Sequence, residues 1–226
     1  AFYGIDGLKT GDIVVSNHAG TLGQHLNNVV MYTPIRVGPH NELIAFFCVL
    51  MHWIDIGGIM IGSCSSTTTS EIFQEGLQLR TVKLFDQGRR NDDLFRVIQY
   101  NTRFPEMLRG DIEAQVGGCQ MGCRMVADIA DRYGAETVLA AVRSMWDQSN
   151  SLVADVLKRA RPGEYKAFAF LDNDGISLDD PVPIGVTVRL SEKSVTVDFS
   201  DVSDQRPGPL NAGRNGGAVA AARIAV

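Results

Sequence analysis

The chain has 226 residues, 45% of them hydrophobic and 21% charged, with a formal net charge of -5 and a pI near 5.4. That balance is ordinary for a globular protein and excludes the concentrated positive charge with which nucleic acids and anionic membrane surfaces are bound. The longest apolar run, Leu43 to Met51, is far too short to span a bilayer, and the first residues lack the basic-then-apolar order of a secretory signal, so a cytoplasmic protein with reduced thiols is expected.

Residues 1–90 read as strands and loops. Asp12 to Ser16, Asn28 to Ile35 and Glu42 to His52 are rich in Val, Ile and Phe and are separated by Gly, Pro and Asn, the pattern of strands between turns. Among them lie NHAGTLGQHLNN (17–28) and GGIMIGSCSSTTTSE (57–71), polar loops of the kind that carry chemistry on a rigid sheet. Over residues 91–163 the period becomes helical. NDDLFRVIQYN opens on an Asn cap with an acidic first turn, and a longer run holds apolar residues at three and four spacing from Phe104 until Gly134 closes it. A further helix from Ala135 to Ala160 is stopped by Pro162 and Gly163, which makes a helical hairpin.

Over residues 164–226 the two-residue alternation returns, around turn signals at Asn173-Asp174-Gly175 and Ser191-Glu192-Lys193, and the chain closes on the alanine-rich apolar pattern of a helix. The expected class is α+β: a strand-rich site region with polar loops, a helical hairpin, then a return to β-strands, in one continuous module. The opening without Met and the helix cut off at AAARIAV read as part of a larger subunit.

No Walker loop, dinucleotide glycine motif or G-x-S-x-G elbow is present, so phosphate-cradling and serine-hydrolase chemistry have no support. The DNDG at Asp172 starts like a calcium loop but lacks the closing glutamate, which favours a hairpin turn. Cys119 and Cys123, beside Gly117, Gly118 and Gly122, favour a close helix contact over a soft-metal site, and with Cys48 and Cys64 they follow no disulfide spacing. Of four histidines, His18, His25 and His52 fall in or beside the two polar loop regions, with Asp55 just after the last. Imidazoles with a carboxylate form a donor set for a borderline divalent ion such as zinc or manganese. The stretch HWIDIGG, where a strand meets two glycines, is either such a ligand-bearing strand end or a buried strand with a satisfied histidine and a turn.

Four stretches resemble, in the same order, the hydantoinase B family. They are GDIVVSNHAGTLGQHLNNVVMYTPI, HWIDIGG, the long run from TTTSEIFQEGLQ through NTRFPEMLRGDIEAQVGGCQMG, and VTVDFSDVSDQRPGPLNA. The family holds the large subunits of ATP-dependent N-methylhydantoinase, the matching half of 5-oxoprolinase, and the alpha-type subunits of acetone and acetophenone carboxylases. The resemblance implies a hydantoinase A-type partner that carries ATP with magnesium and phosphorylates the substrate's carbonyl or enol oxygen. The B-type subunit then completes either carboxylation of a ketone with bicarbonate or hydrolysis of a hydantoin, 5-oxoproline or lactam ring; a non-catalytic assembly subunit is the reading from another class. The H-x-x-D spacing and Trp53 favour carboxylation, and the sequence reading leans that way.

Carried over residue by residue, the resemblance implies a divalent metal (zinc or manganese, or iron) on His18, His52 and Asp55. His18 stands where the family's N-D-P loop has its carboxylate, and Gln78 occupies a further ligand-like position where the family has a histidine after E-G-L. Trp53 replaces a second histidine common in the hydrolases. His25 in GQHLNN matches a G-x-H-x-x-D loop, with Asn28 for the aspartate, and is a ligand, a proton donor or a loop-fixing donor. His25 and Glu71 are the expected catalytic residues, and Glu71 and Glu75 in SEIFQEG are placed to orient ligands or to make salt links.

Overall fold

The structure, a computed structural model, describes residues 3–4, 7–22, 25–62, 69–213 and 217–225. It is α+β, in two compact units: residues 1–64 with 72–139, and residues 65–71 with 140–226.

The first unit is built on five strands: β1 (Ile13–Ser16), β2 (Asn28–Val37), β3 (Glu42–His52), β4 (Val82–Asp86) and β5 (Arg89–Arg90). They form one antiparallel sheet in the order β3-β2-β1-β4-β5, so the longest strand, β3, is an edge. A short helix, α1 (Ala19–Leu22), follows β1. Strand side chains alternate between faces, and Ile13, Val15, Val29 and Met31 point to the side covered by α2 (Asp92–Tyr100) and α3 (Pro105–Tyr133). Leu108, Ile112, Val116 and Cys119 of α3 repeat at three and four residues and complete that core with Phe95 and Ile98 of α2.

The local signals work as expected. Asn91 caps α2 by accepting the Leu94 N–H at 3.1 Å, and Asp92 and Asp93 sit in its positively polarised first turn. Along α3, Gly118 lies against Val49 and Gly122 against the Phe47 ring, where a Cβ would collide. The small residues therefore serve a close helix–sheet approach. Cys119 is part of the core, and burial pushes its thiol up to about 11, which leaves it protonated and unreactive. Cys64 lies outside the described residues.

The hairpin of β4 and β5 was not expected from the sequence. Gln87 and Gly88 both have positive φ, at 50° and 83°, the type I′ geometry that matches the twist of a tight hairpin. Buried Asp12 holds this turn by accepting the Gln87 N–H at 2.7 Å while pairing with Lys83 at 2.9 Å.

In the second unit β6 (Gly163–Leu171), β7 (Val182–Leu190) and β8 (Val195–Asp198) form an antiparallel sheet in that order. Most of α4 (Ala135–Arg159) and all of α5 (Ala218–Ala225) belong to it. The Asp174 carboxylate accepts the Ile176 and Ser177 N–H groups, so DNDG is a turn that caps its own backbone. Among the described residues no helix is long and apolar enough to cross a membrane.

Candidate functional site

At the end of β3 the register sets Asn28 of β2 opposite His52, and the connection preceding β2 carries His25 back over the same strand end. The two imidazoles meet with ring centroids 4.8 Å apart and planes tilted by 41°. His52 is exposed and His25 half-buried. Burial, and then the neighbouring His52, hold the His25 imidazole below its ordinary value of 6.5, because both disfavour the cation. His25 is therefore a neutral base at pH 7.

One buried side chain gathers the segments that carry the other candidates. Asn17, at the exit of β1, donates both amide hydrogens, to the Leu26 carbonyl at 2.8 Å and to the Leu77 carbonyl at 2.9 Å. Its oxygen accepts the Leu79 N–H at 2.6 Å, and its own N–H donates to the Leu79 carbonyl at 2.9 Å. His18 follows Asn17, His25 precedes Leu26, and Gln78 lies between Leu77 and Leu79, so these residues sit on segments tied at one point. Glu75 completes the tie by accepting the Leu26 N–H at 2.9 Å. Glu71 is exposed and belongs to the short stretch that groups with the second unit.

Trp53, next to His52, is wholly buried. Its indole donates to Gln115 of α3 at 2.9 Å, and its backbone exchanges two hydrogen bonds with Asn27. Gln115 in turn donates to the carbonyls of Val29 and Val49, stitching β2 to β3. The indole is a core group and not a substrate wall.

Asp55, expected from its spacing to share an ion with His52, is engaged by the connection between α2 and α3. It has no exposure, and its oxygens accept from the Arg103 guanidinium at 2.7 Å, the Arg103 N–H at 2.7 Å and the Thr102 hydroxyl at 3.1 Å. The same arginine donates to the carbonyls of Gly57 and Gly58. Both glycines have positive φ, and a Cβ on Gly58 would strike the backbone of Gln74 and Glu75, while one on Gly76 would strike the Ile56 carbonyl. The glycines that end HWIDIGG thus permit two chain segments to cross at backbone distance.

Among the described residues no group of three or more His, Cys, Asp or Glu side chains is arranged to hold a metal ion. Two imidazoles stand together, and the carboxylate assigned to the same ion is committed to Arg103. This donor set falls short of the three protein ligands of a catalytic zinc, so no step below runs through a metal. Asn17, Gln115 and Arg103 were not singled out from sequence. Only Gln115 gave a signal, as a polar residue on the apolar stripe of α3.

The family model described as hydantoinase B/oxoprolinase matches residues 1–226. The B-type subunit of a "Putative D-/L-hydantoinase" from Pseudomonas sp. (strain NS671) is 32% identical over 204 residues, covering 88% of this chain and 34% of that protein. The crystal structure of ATP-dependent caprolactamase from Pseudomonas jessenii superposes with a TM-score of 0.86 at 26% identity, over 99% of this chain and 37% of that one. A nucleotide-free acetone carboxylase structure superposes with a TM-score of 0.82 at 18% identity, over 95% of this chain and 30% of that one, a likeness of fold. The chain spans about a third of the length of these relatives.

Proposed function

The chain belongs to the hydantoinase B/oxoprolinase family, and from that premise we propose that it completes the hydrolysis of an ATP-activated cyclic amide, a hydantoin or a lactam. A hydantoinase A-type partner with ATP and magnesium phosphorylates the amide oxygen; on this subunit water then adds to the activated carbon and gives up a proton, the ring C–N bond breaks as the nitrogen takes up a proton, and a second water releases phosphate from the acyl phosphate that results. The observation that carries this reading is the contact of His25 with His52. Neutral at pH 7, His25 has the lone pair a general base needs to take a proton from the attacking water. Exposed His52 faces solvent beside it, where substrate arrives.

The greater likeness to a hydantoinase and to caprolactamase supports a cyclic amide over a ketone. The sequence alone leans to carboxylation on Trp53 and the H-x-x-D spacing. The bond of Trp53 to Gln115 in the core and the bonds of Asp55 to Arg103 support setting those two features aside.

The test is to purify the chain with its ATP-binding partner and supply ATP, magnesium and a panel of hydantoin, 5-oxoproline and caprolactam. Ring-opened product, followed by NMR, should accumulate with ATP consumption, and His25→Gln should lower kcat by about 100-fold or more. Carboxylation of acetone or acetophenone from bicarbonate, with every ring left intact, would reverse the assignment.

A further inference from the structure

We propose that Arg103 is the positioning residue of this site: it fixes the 55–58 turn, and through that turn it sets where the 74–79 segment and the His25 loop lie. This rests on the reading of the histidine pair as the reactive centre.

The contacts run in one direction. Arg103 reaches Asp55 through one guanidinium nitrogen at 2.7 Å, and the carbonyls of Gly57 and Gly58 at 3.3 and 2.5 Å. Its backbone N–H and the Thr102 hydroxyl take the other Asp55 oxygen. Only a planar fork serves a carboxylate and two carbonyls at once, whereas a lysine ammonium on a flexible stem would hold one of them. The far side of the turn is bonded to the next segment, Leu77 N–H to the Ile56 carbonyl at 2.9 Å and Ile59 N–H to the Gln74 carbonyl at 2.8 Å. That segment carries Glu75, which holds the Leu26 N–H, and Leu77 and Leu79, which hold Asn17. Each hydrogen-bonded step from the arginine to the segments that carry His25 and Gln78 is in place. A turn with two consecutive glycines at positive φ has little stiffness of its own. The guanidinium supplies it.

Hydrogen exchange on the full chain tests this without any assumption about substrate. In Arg103→Lys the amides of Leu26, Leu77 and Leu79 should exchange about tenfold faster or more, while Val15 and Met31 in the sheet centre keep their protection. Arg103→Ala should show the same pattern, and guanidinium far below denaturing concentration should reverse it, because the arginine side chain is 39% exposed and its site is open to solute. If neither variant folds, Thr102→Val, which removes one donor to Asp55, should give the pattern at smaller size. Faster exchange confined to residues 55–58 and 102–104, a uniform rise over the whole sheet, or no change overturns the proposal. In the complex with the ATP-binding partner, Arg103→Lys should lower kcat by about tenfold or more while KM moves less than about threefold. A wild-type complex that opens no ring tells against the proposed function alone, since the exchange pattern decides the role of Arg103 by itself.

Discussion

Asn17→Ala removes the one side chain at which three site segments meet. Its truncation strands the carbonyls of Leu26 and Leu77 and the N–H of Leu79, all bonded at 2.6 to 2.9 Å to a residue with 1% exposure. Leaving a buried polar group unpaired costs about 1 to 3 kcal/mol. With water entering part of the vacated space, the three groups together cost about 3 kcal/mol at the low end of that range. A fold with about 5 to 15 kcal/mol to spare would feel this as a large loss. Asn17→Asp sharpens the test. It has the same shape and keeps the acceptor for Leu79, but it replaces two donors by a charged oxygen facing two carbonyls, so it should be at least as damaging as alanine. Urea unfolding of the wild type and both variants, read by far-UV circular dichroism, gives the comparison. A loss below about 1 kcal/mol for alanine, or an aspartate variant as stable as the wild type, would refute the view that this side chain organises the site.

Two further outcomes follow from the histidine pair. The folded value of His25 lies below the 6.5 of the unfolded chain, so protons bind the unfolded state more tightly; its stability contribution is whole above pH 6.5 and drains away as pH falls through the folded value. Urea midpoints measured above and below pH 6.5 should therefore converge in His25→Gln relative to wild type, and identical pH profiles would remove the argument for a neutral buried base. His52→Ala removes the neighbouring ring that disfavours the His25 cation, so the His25 titration followed by NMR should move up toward 6.5, and an unchanged titration would show that the two rings do not act on each other.

Much of the fold was legible because its signals are local. Asn91 marks a helix start, Gly134 and Pro162 mark stops, and Val/Ile/Phe alternation marks β1 to β3 within a residue or two. The β4–β5 hairpin escaped because its turn places Gln87 at φ 50°, a conformation the sequence advertises only through Gly88, and because distant Asp12 is what makes it tolerable. At the site, residue chemistry pointed to His18, His25 and His52, and the β2–β3 register does bring His25 and His52 together. The fate of Asp55 could not be read, since its partner Arg103 lies 48 residues on, and the same holds for Trp53 and Gln115, 62 apart. Spacing reports what neighbours in the chain can do together, and these two residues are decided by the α2–α3 connection and by α3.

The tie around Asn17 separates what the scaffold needs from what it displays. The bonds are made by Asn17, Leu26, Leu77 and Leu79, and positions 18, 25 and 78 are their neighbours in sequence. A replacement at any of those three positions leaves the Asn17 side chain with the backbone groups of Leu26, Leu77 and Leu79 as its partners.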